Sequence, residues 1–293
     1  MDPKLHFLDG DSKLAELFRV KDWSNHILGP PENWAQELKT TISLMLSSKF
    51  PMSLAWGKEK IFLYNDGYAE LMGEKHPKGL GEKYETLWSE VWKDLVPLLE
   101  KVDQGESFYL EDQKFLITRN NIVQETYFTF AYSPIRNLDG TIAGLFCAVV
   151  ETTVKVISQR ELANERDKLN IIFKESSTVM ALFQGPEMVY ELVNPRYQAL
   201  FGDRVLVGKP LLEAIPELKG QPFFDQLRDV FKTGTAAFGH EVLAPHKRSP
   251  HGPIEDRYYD FTFARINDVN GKPYGIYVHG FDSTDHADKK SHN

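Results

Sequence analysis

The sequence predicts an α+β protein of two similar domains, each a five-stranded antiparallel sheet with helices on one face, joined by a helical connector. The main observation is an internal repeat, because residues 127–153 align without a gap with residues 258–284. Matched residues lie 131 positions apart (271 − 140): Gly140 and Gly271, Gly144 and Gly275, Thr153 and Thr284. A repeat of this length indicates two copies of a domain, in contrast to the short units of a solenoid. A chain of 293 residues is long enough for two such domains.

Each copy of the repeat predicts a β-hairpin. Aromatic residues alternate with small or polar ones along the first strand, a turn follows at residues 137–140 or 268–271, and the second strand is apolar. The Asp-Gly and Asn-Gly pairs in these turns supply the positive φ that tight hairpin turns need.

The elements before the first hairpin follow from changes in apolar spacing. Two helices are predicted before residue 50 from residues at helical spacing: Leu14, Leu17 and Phe18, then Leu38, Ile42, Met45 and Leu46. A hairpin is predicted over 52–64, after which Asn65 or Asp66 caps a short helix. A helix over 94–103 and a strand over 108–116 complete the order β-β-α-α-α-β-β-β.

The second half repeats this order. Strands are predicted over 180–183 and 189–193, and Asn194 takes the capping place of Asn65. A later helix and a strand over 237–243 precede the second hairpin. The offset between the copies grows from 129 (194 − 65) to 131 (271 − 140), which predicts an insertion of two residues in the loop near 246–253.

These patterns divide the chain into five parts. We assign an N-terminal helical extension to residues 1–49, the first domain to 50–153, a helical connector to 154–177, the second domain to 178–284 and a polar tail to 285–293. Leu162 and Leu169 lie one heptad apart in the connector, but Glu165 or Arg166 occupies the intermediate seam position, so the coiled-coil signal is weak.

Composition excludes several classes of protein. The net charge of −8 and the lack of a basic stripe predict no nucleic-acid partner. The single cysteine, Cys147, excludes an intramolecular disulfide, and no apolar run approaches the length of a membrane span. A cytoplasmic protein with no membrane partner is therefore expected.

Four further segments are distinctive: residues 22–34, 50–52, 64–66 and 125–136. Together they resemble the N-terminal tandem PAS region of bacterial sensor histidine kinases, including hybrid kinases. It implies a sensing and dimerising module in which an Asp-x-Thr exit couples the last strand to a following helix. The corresponding exit residues are Glu151 and Thr153 in the first copy, and Asp282 and Thr284 in the second. No phosphoacceptor helix or ATP-binding domain is recognisable after Thr284, so either a fragment or a free-standing sensor is expected.

The inner faces of the hairpins are the candidate pocket walls. Strand alternation and the resemblance together place one set of residues on the concave face: Phe128, Phe130, Tyr132, Leu145, Cys147 and Val149 in the first domain, and Tyr259, Phe261, Phe263, Ile276 and Val278 in the second. These side chains either line a pocket for a small molecule or simply fill a core.

The outer faces are the candidate interfaces. Four residues are assigned there: Phe146, Tyr277, His279 and Phe281. An aromatic outer face should be covered by a helix or by a partner, such as a second copy of the chain.

The sequence identifies no cofactor, metal or catalytic centre. Haem is not expected, because His279 points outward and the helices over 94–103 and 223–232 contain no histidine. Flavin-adduct chemistry is not expected, because Cys147 lies mid-strand without an Asn-Cys-Arg motif and should be an inert buried thiol. His240, His246 and His251 match no zinc spacing and are assigned to a solvated loop.

The combined expectation is a cytoplasmic, non-enzymatic tandem PAS sensor that forms a homodimer and acts in two-component signalling. Its expected partners are a small molecule and a histidine kinase or another signalling protein. Two alternatives remain open: the sensory fragment of a histidine kinase, and a structural interaction module with filled cores.

Overall fold

The computed structural model describes residues 3–249 and 251–284, so the predicted polar tail lies outside the described residues. The chain divides into two compact units, Met1–Glu161 and Leu162–Asn293, which we treat separately. Each contains a five-stranded antiparallel sheet with helices, which confirms the predicted fold class. Among the described residues, no helix combines the length and apolar character needed to cross a bilayer.

The first unit has the sheet order β2-β1-β5-β4-β3. Its strands are β1 Met52–Trp56, β2 Ile61–Tyr64, β3 Phe108–Arg119, β4 Ile122–Arg136 and β5 Ile142–Glu151. Its helices are α1 Lys13–Val20, α2 Gln36–Ser47, α3 Asp66–Met72, α4 Tyr84–Leu87 and α5 Trp92–Asp103. Strand β3 extends beyond the predicted end at residue 116, because it continues to pair with β4 as far as Arg119.

The second unit has the equivalent order β7-β6-β12-β11-β8. Its strands are β6 Val179–Gln184, β7 Val189–Val193, β8 Ala237–Leu243, β11 Tyr258–Asn267 and β12 Pro273–Asp282, with a separate ribbon of β9 His246–Lys247 and β10 Ile254–Glu255. Its helices are α7 Pro195–Leu200, α8 Leu211–Ala214 and α9 Pro222–Thr233. The connector forms a helix, α6 Thr153–Glu175, that crosses the boundary between the units.

The N-terminal helices add to the first core. Leu54 and Leu63 pair with each other on the sheet face that carries Phe146, and both are fully buried. They belong to the same apolar cluster as Phe18 of α1 and Ile42 of α2. The N-terminal segment therefore contributes to burying a sheet region that would otherwise be exposed apolar surface.

The β9–β10 ribbon continues the hairpin of β8 and β11. In the first unit Phe115 pairs with Thr126 and Ile117 with Gln124. In the second unit the amide of Ala244 donates to the carbonyl of Arg257 at 2.7 Å, and His246 pairs with Glu255. Ala244 therefore occupies the place of Phe115, and His246 that of Ile117. The two-residue insertion lies beyond this pairing, between Lys247 and Ile254, inside the predicted loop.

Candidate functional site

The first cavity lies between the sheet and helices α3–α5 and has a volume of about 50 Å³. Five of the six predicted pocket residues line it: Phe128, Phe130, Tyr132, Cys147 and Val149. Leu145, the sixth, is buried in the core but does not reach the cavity. Phe115 and Ile117 of β3 also line the cavity, on the sheet side.

The polar groups of the first cavity are tyrosine hydroxyls, a thiol and the indole N–H of Trp88. The hydroxyl oxygens of Tyr84 and Tyr132 lie 2.7 Å apart in a buried hydrogen bond. Burial raises the pKa of both tyrosines well above the ordinary value. Burial also raises the pKa of the Cys147 thiol to about 12, so the thiol stays protonated at neutral pH. These groups offer neutral hydrogen bonding and no nucleophile.

The second cavity occupies the equivalent place in the second unit and has a volume of about 100 Å³. Four of the five predicted residues line it: Tyr259, Phe261, Phe263 and Val278. Ile276 is fully buried but lies outside the lining. The larger volume accompanies the replacement of a phenylalanine side chain, at the place of Phe115, by the methyl group of Ala244.

His246 is a cavity residue that sequence reasoning missed. Its assignment to a solvated loop is wrong, because the residue is 1% exposed and lines the second cavity. The neighbouring Pro245 and Gly252 suggested a loop, whereas the extended pairing with Glu255 turns the ring inward. The offset of 129 residues between Asn65 and Asn194 makes His246 the equivalent of Ile117 in the other repeat. That signal was available in the sequence.

The environment of His246 favours its neutral form. Nδ1 lies 2.9 Å from the carbonyl oxygen of Ala244, which only accepts, so Nδ1 carries the proton. Nε2 lies 3.4 Å from the hydroxyl of Tyr259. The ring packs against Phe201, with centroids 4.9 Å apart. Burial lowers the pKa of His246 below its ordinary value, an effect supported by the nearby charge of Arg257.

The other two loop histidines do not join it. His240 is exposed and pairs with Asp260 at 3.0 Å, and His251 is exposed. Within residues 3–249 and 251–284, no group of three histidine, cysteine, aspartate or glutamate side chains is arranged to hold a metal ion.

The first exit residues join the sheet to the connector helix. Thr153 accepts a hydrogen bond from the amide of Tyr127 at 3.0 Å and donates to Glu151 at 2.8 Å. Glu151 also accepts two hydrogen bonds from the guanidinium of Arg119, at 2.8 and 3.2 Å. Arg119 in turn donates to the carbonyl of Leu71, a residue that lines the first cavity. A continuous series of contacts therefore runs from this cavity to the start of α6.

The second exit has the same local geometry. Thr284 accepts from the amide of Tyr258 at 3.1 Å and donates to Asp282 at 2.5 Å. Arg257 donates to Asp282 at 2.8 Å and also pairs with Glu255. Asp282 therefore takes the place of Glu151, although its arginine partner comes from a different position in the repeat.

Helix α6 is attached at both ends. At its N-terminal end Arg160 donates to the Tyr127 hydroxyl at 2.5 Å and to Glu125 at 3.1 Å. At its C-terminal end the carbonyl of Phe173 accepts from the side-chain amide of Asn194 at 3.2 Å. Between these ends, the side chains of residues 161–170 are all exposed.

The predicted interface residues are only partly covered. Phe146 is half-buried and packs against the first core. Tyr277 and His279 are half-buried and stacked, with ring centroids 5.4 Å apart. Phe281 is 54% exposed. Phe146, Tyr277 and Phe281 lie outside both cavity linings, whereas His279 also borders the second cavity.

Comparison with known proteins identifies the fold of the second unit. The family described as PAS fold matches residues 174–288, which confirms the PAS resemblance there. Among similar solved structures, a sensory box sensor histidine kinase from Vibrio cholerae is 17% identical, with 43% of this chain and 97% of that chain covered and a TM-score of 0.30. The VqmA dimer of Vibrio cholerae is 24% identical, with 41% and 52% covered and a TM-score of 0.34. The present chain thus spans about half of the VqmA chain that it matches.

Proposed function

We propose, from the PAS fold matched over residues 174–288 and its repetition in the first unit, that this chain is a tandem PAS sensor. In this proposal it is a cytoplasmic, non-enzymatic homodimer that binds a small molecule in a domain cavity and acts on a histidine kinase or another two-component signalling protein. The net charge of −8 supports the absence of a nucleic-acid partner.

The contact series at the first exit is the observation that carries the proposal. A change in packing around Leu71 would move the acceptor of Arg119, which also holds Glu151. Glu151 accepts a hydrogen bond from the hydroxyl of Thr153, the first residue of α6. Because Arg119 and Glu151 are both only about a quarter exposed, their bidentate pair is stronger than a surface ion pair. A ligand that alters the cavity can thereby bias the helix.

Hydrogen exchange tests this coupling. Arg119→Gln should accelerate amide exchange in the first two turns of α6 about fivefold to thirtyfold, which corresponds to ~1–2 kcal/mol. Lys83→Gln is the matched control, because Lys83 pairs with Glu59 through a half-exposed side chain and both residues lie outside α6 and the contacts that attach it. Equal exchange in the two variants would show that Arg119 does not connect the cavity to the helix.

Native mass spectrometry of the purified chain tests sensing itself. A small molecule retained with the protein, together with a dimer mass, is expected. Bare protein in every preparation would favour the alternative of an interaction module with filled cores.

Light scattering tests the homodimer at about 50 µM, near the weak end of specific association. Phe281→Glu should convert the dimer to a monomer if the outer face of β12 forms the interface, because an unpaired charge would be buried there. Val269→Glu, at the fully exposed turn between β11 and β12, is the control. A monomeric wild-type chain would refute the dimer.

A further inference from the structure

We propose that the second cavity is the ligand site of this chain, and that it takes a compact, uncharged molecule with an apolar body and one hydroxyl or N–H donor. This inference rests on the proposed sensor function and adds the choice of domain and the chemistry of the ligand. It arises from a comparison that the chain itself provides, because the two repeats place different side chains at equivalent positions.

The first difference concerns space. Phe115 projects into the first cavity, whereas its equivalent in the second unit is Ala244. The second cavity is correspondingly about 100 Å³, against about 50 Å³ for the first. An apolar cavity of roughly 150 Å³ holds benzene in another protein, so a volume near 100 Å³ suits a molecule of that size after small side-chain movements.

The second difference concerns polarity. The hydroxyls of Tyr84 and Tyr132 hydrogen-bond to each other in the first cavity. In the second unit Phe263 takes the place of Tyr132, and Leu211, the first residue of α8, takes the place of Tyr84, the first residue of α4.

The second cavity is also lined by polar residues: Tyr197, His246, Tyr259, Asp260 and His279. Tyr197 is paired with the Tyr190 hydroxyl at 3.0 Å, Asp260 accepts from the amide of Glu241 at 2.7 Å, and the His279 ring stacks on Tyr277. His246 and Tyr259 therefore form the hydrogen-bonding corner that a ligand in this largely apolar cavity would meet.

The state of His246 determines which polar group fits that corner. Nδ1 donates to the carbonyl of Ala244, which leaves Nε2 as an acceptor. The contact of Nε2 with the Tyr259 hydroxyl is long, at 3.4 Å, so a ligand donor can approach Nε2 in its place. A ligand hydroxyl or N–H group therefore matches Nε2.

Charge at the same corner disfavours an anion. Arg257 is the nearby cation, and its guanidinium is already paired with Glu255 and Asp282. Glu217 adds a third carboxylate to the surroundings of His246. An uncharged ligand avoids the cost of burying a charge that has no partner.

Calorimetric titration of the full chain with phenol, toluene and benzoate tests the proposal. Phenol should bind at one site per chain with a dissociation constant on the order of 1 mM or tighter, because small ligands gain limited free energy per atom. Toluene, which has the same shape without the donor, should bind about threefold to tenfold more weakly, the value of one hydrogen bond. Benzoate should bind more weakly than phenol.

Two variants introduce the residue that occupies the equivalent position in the first repeat. Ala244→Phe should weaken phenol binding at least tenfold by filling the cavity. His246→Ile should reduce phenol to the affinity of toluene and leave toluene unchanged, which also decides the question if Ala244→Phe fails to fold. His251→Gln, at an exposed histidine of the same unit, should leave both affinities unchanged.

Equal affinity for phenol and toluene in the wild-type chain, or unchanged phenol binding by a folded Ala244→Phe chain, would overturn the proposal. A retained molecule that leaves only when Tyr132 is changed would place the ligand in the first cavity, so this inference would fail while the sensor function stood. If phenol binds to a monomer that shows no coupling at α6, this inference would stand while the proposed sensor function would fail.

Discussion

Replacement of Asn194 by alanine should detach the connector helix from the second unit and destabilise that unit. Asn194 is fully buried and its side chain makes four hydrogen bonds. Its side-chain oxygen accepts from the amides of Met180 at 3.0 Å and Tyr197 at 2.9 Å. Its side-chain nitrogen donates to the carbonyls of Thr178 at 2.8 Å and Phe173 at 3.2 Å. One side chain thus holds the start of β6, the start of α7 and the end of α6.

The magnitude follows from the groups that alanine would leave behind. Two buried amides would lose their acceptor, and each unsatisfied donor costs roughly 1–3 kcal/mol. The loss at Tyr197 includes the helix cap, which is typically worth about 1 kcal/mol. A total of about 3–4 kcal/mol is therefore expected. For a unit of this size, each kcal/mol shifts the Tm by roughly 3–5 °C, which predicts a decrease of about 10–20 °C.

Scanning calorimetry and hydrogen exchange provide the assay. The transition of the second unit should move down by this amount, and the amides of the last turn of α6 should exchange faster. Asn164→Ala, in the exposed middle of α6, is the control and should leave the Tm within about 2 °C. A decrease below about 4 °C for Asn194→Ala would refute the reasoning.

Three other outcomes are expected. Phe115→Ala should enlarge the first cavity and lower the free energy of unfolding of that unit by about 3–5 kcal/mol in urea, and a loss below about 1 kcal/mol would show that the site collapses. Burial lowers the pKa of His246 below 6.5, so its contribution to stability is complete above that pH and is lost as the pH falls toward the folded-state pKa. The Tm should therefore decrease between pH 7.5 and 5, and His246→Gln should reduce the decrease; an equal decrease in both chains would exclude His246 as the cause. The Cys147 thiol should resist a thiol reagent at pH 8 in the native chain and react after denaturation, because it is buried and protonated.

Local pattern was sufficient for most of the secondary structure. Alternation along β4 and β11 placed Phe130 and Phe263 on the inner face, and both are buried. The position before a short helix predicted Asn65 or Asp66 as its cap. The structure selects Asn65, whose side-chain oxygen accepts from the amide of Tyr68 at 3.0 Å. These features depend on residues close in sequence, which is why spacing revealed them.

The sequence did not reveal the contacts that such residues make with distant elements. The side-chain nitrogen of Asn65 also donates to Met45, Ser48 and Phe50, in the segment that leads from α2 to β1. Sequence spacing predicted no role for Arg119 of β3, because its carboxylate partner Glu151 lies in β5 and the whole of β4 separates the two strands along the chain. Partners of this kind are set by strand order, which sequence spacing does not encode.

The sequence by itself determined three features: the presence of two copies of one α+β domain, the residues on the inner faces of their hairpins, and the two threonine exits. The tertiary structure alone decided that a cavity remains beside His246, that this cavity is larger than its counterpart in the first unit, and that α6 is held at both ends. The physical reason is that period-two alternation identifies which side chains share a strand face. Whether such a face is covered, and whether a void remains beneath it, depends on side-chain volumes contributed by distant elements.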